Sequence, residues 1–254
     1  MPDPVLVAVA HGSADPRASA TIGELMAGAA ERAAARGLRA LEARTAFLGH
    51  APPSLPQVMG TIEPGRQVRV LPLLLTAAYH SKADIPRMLA RFSVDFPRLR
   101  VSYGATLGPH PLLLSALERR LAEADPGADR ADRARTGVVL AAAGSSDPQA
   151  NATITRLAAQ WQERGGWFAV RPAYASAADP SPPAAVTDLL RAGASRVVVA
   201  TYLLAPGLFA DRIRTSSLAA GAAAVSPALG ASPEVADVLL DRFCQARSLR
   251  HTAA

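Results

Sequence analysis

Short apolar runs alternate with amphipathic stretches along the whole chain, the pattern of a mostly parallel sheet covered by helices on both faces. The run Val5–Ala10, rich in valine, predicts a first strand. The stretch after it carries Ile22, Leu25, Met26, Ala29 and Ala33 at helical spacing, a stripe that belongs in a core. Residues Arg39–Phe47, Gln67–Leu75 and, more weakly, Leu99–Tyr103 read as further strands. Over residues 125–136 the text turns to "DPGADRADRART", polar and without apolar periodicity, which predicts a linker.

Beyond that segment the chain repeats itself. "GSADPRASATIGEL" from Gly12 returns as "GSSDPQANATITRL" from Gly144, "PSLPQVM" from Pro53 as "PSPPAAV" from Pro180, and "LGPHPLLLSAL" from Leu107 as "LGASPEVADVL" from Leu229. The order is the same in both halves, and two copies make a duplicated unit, not a solenoid. The expected fold is α/β with two similar domains, residues 1–124 and 137–254, joined by the linker at 125–136. Each has a mostly parallel sheet flanked by helices.

The duplication is an internal control. In open α/β sheets ligands bind beyond the carboxyl ends of strands, so the loops there can be compared between copies. His11, after the first strand, corresponds to Ala143; His50, after the second, to Ala177; His80, after the third, to Gly207. Asp84 and Asp211 stay in register. Three of the five histidines therefore fall on one rim in the first copy, where the second copy carries small inert residues. Imidazole suits borderline divalent ions such as Fe²⁺, Co²⁺ and Ni²⁺ and can accept a proton near neutral pH. Few ligands would hold such an ion loosely enough to pass it on.

The other two histidines read differently. His110 matches Ser232, each before a proline that opens a helix, so it reads as a cap. His251 lies in a tail expected to fray. The shared "GS.DP" segments survive in both copies and read as largely structural, with Ser13 also a possible substrate contact. Lys82, the only lysine, corresponds to Phe209 and could meet an anion.

Composition narrows the classes. Half the residues are hydrophobic, enough for one large core or two small ones. The net charge of +6 comes from scattered arginines, without a block of like charge or a basic stripe interleaved with aromatics, so no nucleic-acid footprint is indicated. A lone cysteine, Cys244, excludes an internal disulfide framework and a cysteine-ligated cluster within one chain. The first residues show neither a leader nor a bilayer-spanning run, and a cytoplasmic protein without membrane partners is expected. The fused duplication is compatible with a monomer.

"VAHGSADPRA" together with "PLLLTAAYHSKADIP" resembles the sirohydrochlorin chelatases, over nearly the whole chain. Long members of that family are fused duplications with one depleted half, and "YLLAPGLFADRI" looks like their second-half segment. The resemblance implies two α/β domains around a cleft and insertion of Co²⁺ or Fe²⁺ into sirohydrochlorin, in cobalamin or siroheme biosynthesis, without a tightly bound cofactor. It implies His11 and His80 as metal ligands and proton acceptors, with Ser13, Tyr79, Ser81, Lys82 and Phe209 near the tetrapyrrole. The family commonly has a glutamate where "FLG" places Gly49; either His50 takes that part as a third ligand, or the part is missing. Two rivals remain: a tetrapyrrole or metal carrier that does not turn over, and a histidine phosphatase or mutase. "VAHGS" lacks the arginine that precedes the phosphorylated histidine in the latter. No G-x-G-x-x-G follows a strand, which argues against a dinucleotide enzyme.

Overall fold

A computed structural model of the chain describes residues 4–38, 41–77, 83–126, 130–245 and 247–248. The first sheet is built on β1 (Val5–Ala10), in which all six side chains are buried. A strand apolar on both faces must lie centrally between two helical layers, and β1 does: it pairs in parallel with β2 (Ala43–Phe47) on one side and β3 (Gln67–Pro72) on the other. β4 (Arg100–Tyr103) extends the sheet beyond β3. The second sheet repeats the order, with β5 (Thr136–Ala142) between β6 (Ala169–Tyr174) and β7 (Arg196–Tyr202), and β8 (Ala224–Val225) beyond β7. The α/β architecture with two mostly parallel sheets is as expected.

Strand limits differ in detail. The third expected strand ends at Pro72; the Leu73 amide still bonds to the Val9 carbonyl of β1 at 2.8 Å, and the chain bends at residues 75–76. The second starts at Ala43; residues 39–40 lie outside the described part. In the tail, Arg247–Ser248 forms β9, antiparallel to β4, and His251 lies outside the described residues. The stretch expected as a linker includes a 3-10 turn at Arg130–Arg135 that runs directly into β5.

Helix α1 (Pro16–Ala35) buries Ile22, Leu25, Met26, Ala29 and Ala33, the stripe read from the sequence. Each larger member contributes on the order of 1.5–3 kcal/mol by leaving water. Asp15 caps this helix, accepting from the Arg17 amide at 2.9 Å. Helices α2 (Leu55–Gly60), α3 (Ile85–Asp95), α5 (Pro148–Gly165) and α6 (Pro182–Arg191) alternate with the strands in the same way.

The compact units cut across the two sequence copies. One comprises residues 1–108 and 231–254, the other residues 109–230. Helix α4 (Pro111–Ala124), which ends the first copy, packs on β7 and β8 of the second sheet. There Glu118 accepts from the Trp161 indole at 3.0 Å and from Arg133 at 3.0 Å. Helix α8 (Pro233–Gln245), which ends the second copy, packs on α1 and β3 of the first unit. Arg32 of α1 and Arg36, the residue that caps its C-terminus, pair with Asp237 of α8, and Arg36 reaches Asp241 at 2.7 Å. The last helices of the copies are thus exchanged. Domain limits drawn at residues 124 and 136 follow the copies, whereas the packed bodies follow the exchange.

Candidate metal centre

His11 is the first residue beyond β1, and the loop after β2 is stitched to it by the backbone. The Leu48 amide donates to the Ala10 carbonyl at 3.0 Å and the Gly49 amide to the His11 carbonyl at 3.1 Å. Gly12 lets the two loops touch: its φ is +89°, and a Cβ there would lie 1.7 Å from the Gly49 carbonyl oxygen. No side chain fits in that gap. His50 follows at φ +60°, a left-handed conformation in which histidine is over-represented among non-glycine residues. The outcome is that the His11 and His50 rings face each other with centroids 6.4 Å apart and planes inclined by 48°. Both residues are exposed.

The second unit repeats this frame without the rings. The Ala175 amide donates to the Ala142 carbonyl at 2.9 Å and the Ser176 amide to the Ala143 carbonyl at 3.0 Å. Gly144 has φ +85° and would place a Cβ 1.8 Å from the Ser176 carbonyl oxygen. Ala177 has φ +60°, as His50 does. Close approach and left-handed turn therefore belong to the fold, and the imidazoles stand on it in one copy only.

The remaining expected residues separate into three groups. Ser13 accepts from the Asp15 amide at 3.1 Å and Ser145 from the Asp147 amide at 3.0 Å, so this serine shapes the turn in both copies. The Arg17 guanidinium, hydrogen-bonded to Asp15, holds that carboxyl below the usual carboxylate range. This ion pair on the rim was not anticipated, and nothing in the sequence pattern distinguishes it from a solvated arginine. His110 caps α4, its Nδ1 accepting from the Leu112 amide at 3.3 Å. Tyr79, His80, Ser81 and Lys82 lie outside the described residues. Among the described residues, no group of three His, Cys, Asp or Glu could share an ion.

On the second unit, Leu208 opens helix α7 (Leu208–Ala219) and is 72% exposed; Phe209 after it is 39% exposed. Gly207, the counterpart of His80, adopts φ +150° and ψ −171°, a backbone that essentially only glycine occupies. Among the described residues, no helix is long and apolar enough to cross a membrane.

The comparisons agree with this duplicated geometry. The CbiX family model matches residues 5–124 and again 137–246, and the chain belongs to that family. It is similar to a sirohydrochlorin cobaltochelatase of Priestia megaterium, 29% identical over 171 residues, 66% of this chain and 56% of that protein. It is also similar to a sirohydrochlorin ferrochelatase of Bacillus subtilis (strain 168), 30% identical over 146 residues, 58% of this chain and 54% of that protein. The match thus spans little more than half the length of either relative. The solved structure of SirB from Bacillus subtilis with Fe³⁺ superposes with a TM-score of 0.77 at 26% identity, covering 96% of this chain and 95% of that one.

Proposed function

We propose that this protein inserts a divalent metal ion, Co²⁺ or Fe²⁺, into sirohydrochlorin. The observation that carries the reading is the paired His11 and His50 on one strand-end rim, against Ala143 and Ala177 on the same frame in the second unit. The relatives named as cobaltochelatase and ferrochelatase, and a fold shared with an iron-bearing SirB, support the substrate class. Metal insertion needs two things from the protein: the ion must lose water, and the pyrrolic N–H protons must go somewhere. In this reading His11 and His80 do both, as passing ligands and as general bases. His50 supplies a third nitrogen from the loop beside His11.

Sirohydrochlorin is edged with carboxylates around an apolar ring. Lys82, Tyr79, Ser81 and Ser13 are assigned to its polar edge and Phe209 to its face. The metal is a substrate, and the chemistry requires neither a resident cofactor nor a redox step. A competition assay tests this: catalytic amounts of protein with sirohydrochlorin and Co²⁺, Fe²⁺ and Ni²⁺ offered together. Conversion well beyond one equivalent, above the spontaneous rate, supports the enzyme. Saturation at one equivalent makes the protein a carrier instead.

A further inference from the structure

β4 and β8 hold the same place in their sheets. Ser102 and Tyr103 of β4 stand beside Arg69 and Val70 of β3, and Ala224 and Val225 of β8 stand in matching register beside Val198 and Val199 of β7. What lies beyond them differs. On β4, Arg247–Ser248 of β9 adds an antiparallel strand, with Arg247 opposite Tyr103 and Ser248 opposite Ser102. Beyond β8, among the described residues, there is no further strand. A groove of about 430 Å³ lies there instead, bracketed by Ala210, Asp211, Arg214 and Leu218 of α7, by Glu123 at the end of α4 and by residues 223–228. An edge strand with an open side is a template for another chain unless it is covered. We propose that this groove takes an extended, basic segment of a partner protein as an antiparallel strand on β8, in the way that β9 covers β4.

The first unit supplies the template for the occupant. The segment that covers β4 reads "ARSLR" over residues 246–250, with two arginines and no acidic residue. The β8 groove complements that charge, with two carboxylates, Glu123 and Asp211, against one guanidinium, Arg214. Glu123 also pairs with Arg120 at 2.7 Å, so an incoming cation would share it. On the strand itself the Val225 carbonyl is met by a side-chain donor, Arg214 at 3.2 Å, which the amide of an added strand can replace. Helix α7 buries only Ile213 and Ser217 and leaves Leu218 41% exposed on the groove wall, an apolar contact for the segment. Main-chain pairing gives such additions their affinity, and side-chain contacts of this kind give them their choice of partner. A second copy is the poorer occupant. Its tail strand is tethered beside its own β4, and that tether keeps the local concentration far above the concentration of free chains.

The template also supplies the probe. The peptide ARSLRHTAA, residues 246–254, is titrated into the full ¹⁵N-labelled chain and followed by amide shifts. The amides of residues 223–226 should shift saturably with one equivalent bound, while those of Ser102 and Tyr103 stay in place. Leu218→Lys, a change at an exposed position, puts a like charge in the groove and should weaken binding at least about tenfold. Arg214→Ala removes both the resident donor and the cation and should tighten it. Unshifted amides elsewhere in each variant show that the fold is kept. The charge-swapped peptide AESLEHTAA should not bind. Absence of a saturable shift at β8 overturns the proposal, as do equal shifts with the charge-swapped peptide. Movement at Ser102 and Tyr103 would mean that the peptide only displaces β9, and β8 shifts on concentrating the chain without peptide would make a second copy the occupant; either result overturns it too. Neither metal nor tetrapyrrole enters this assay, so failure of the groove and failure of the proposed reaction are distinguishable.

Discussion

Arg242 of α8 donates to the Leu107 carbonyl at 3.2 Å and to the Thr106 carbonyl at 2.8 Å. Arg120, nine residues into α4 as Arg242 is into α8, donates to the Leu229 carbonyl from Nε at 3.0 Å and from a terminal nitrogen at 2.9 Å. Leu107 and Leu229 open the matched "LG" segments. In each compact unit, an arginine from one sequence copy thus holds the segment that precedes the last helix of the other. Arg242→Ala leaves two carbonyls without a charged donor, and the loss expected is about 1–3 kcal/mol of unfolding free energy in urea. Arg242→Lys should recover only part of it, since an ammonium cannot reproduce the guanidinium fork. A loss below experimental error would remove the clamp from the account.

Gly12 and Gly144 make the same close approach, but only Gly12 has imidazoles beside it. Gly12→Ala and Gly144→Ala should each lower stability by more than about 1 kcal/mol, because alanine is strained at positive φ and its Cβ collides with a carbonyl. Only G12A should also weaken resting-state cobalt uptake. Equal effects of both variants on cobalt would mean that the frame does not position the rings.

Asp237 ties α8 to α1. The Arg32 guanidinium hydrogen-bonded to it, with Arg36 beside it, holds its carboxyl below the ordinary 3.8. A folded-state value lower than the unfolded one gives stability that is complete above 3.8 and is lost as pH falls through the folded value. Asp237→Asn should therefore be less stable at neutral pH and show a shallower decline in acid. Parallel acid curves for the two proteins would contradict this.

Tyr202 closes β7 and is 2% exposed, and burial pushes its phenol above the ordinary 10.0. Here the folded-state value is the higher one, so stability is retained below 10.0 and falls as pH rises above it. Replacing it by phenylalanine should flatten the alkaline arm of the stability profile. An unchanged arm would place the alkaline sensitivity elsewhere.

Much of this was legible in the residues. The buried run of β1 and the α1 stripe follow from periodicity, and His110 as a cap follows from the proline after it. The contrast of His11 and His50 with Ala143 and Ala177 needed only the repeat. The helix exchange was not legible, because α4 and α8 have the same pattern whichever sheet they cover. Only tertiary partners such as Asp237 and Glu118 decide between the sheets, and pairings of that range leave no local signal. The role of Gly12 was half visible: a glycine between a strand and a helix suggests a close approach, but not that Gly49 is what it approaches. The strand ending at Pro72 was overrun because leucines continue past it, and apolar character alone does not mark where a ladder stops.

The central claim is that the histidines of the first copy carry the metal chemistry. It is tested most directly by the initial rate of cobalt insertion into sirohydrochlorin, followed by absorption, for wild type, His11→Ala and His80→Ala at equal protein concentration. The account predicts a fall of about a hundredfold or more in each variant, toward the spontaneous rate, with both proteins still folded. Wild-type rates in both variants would contradict it.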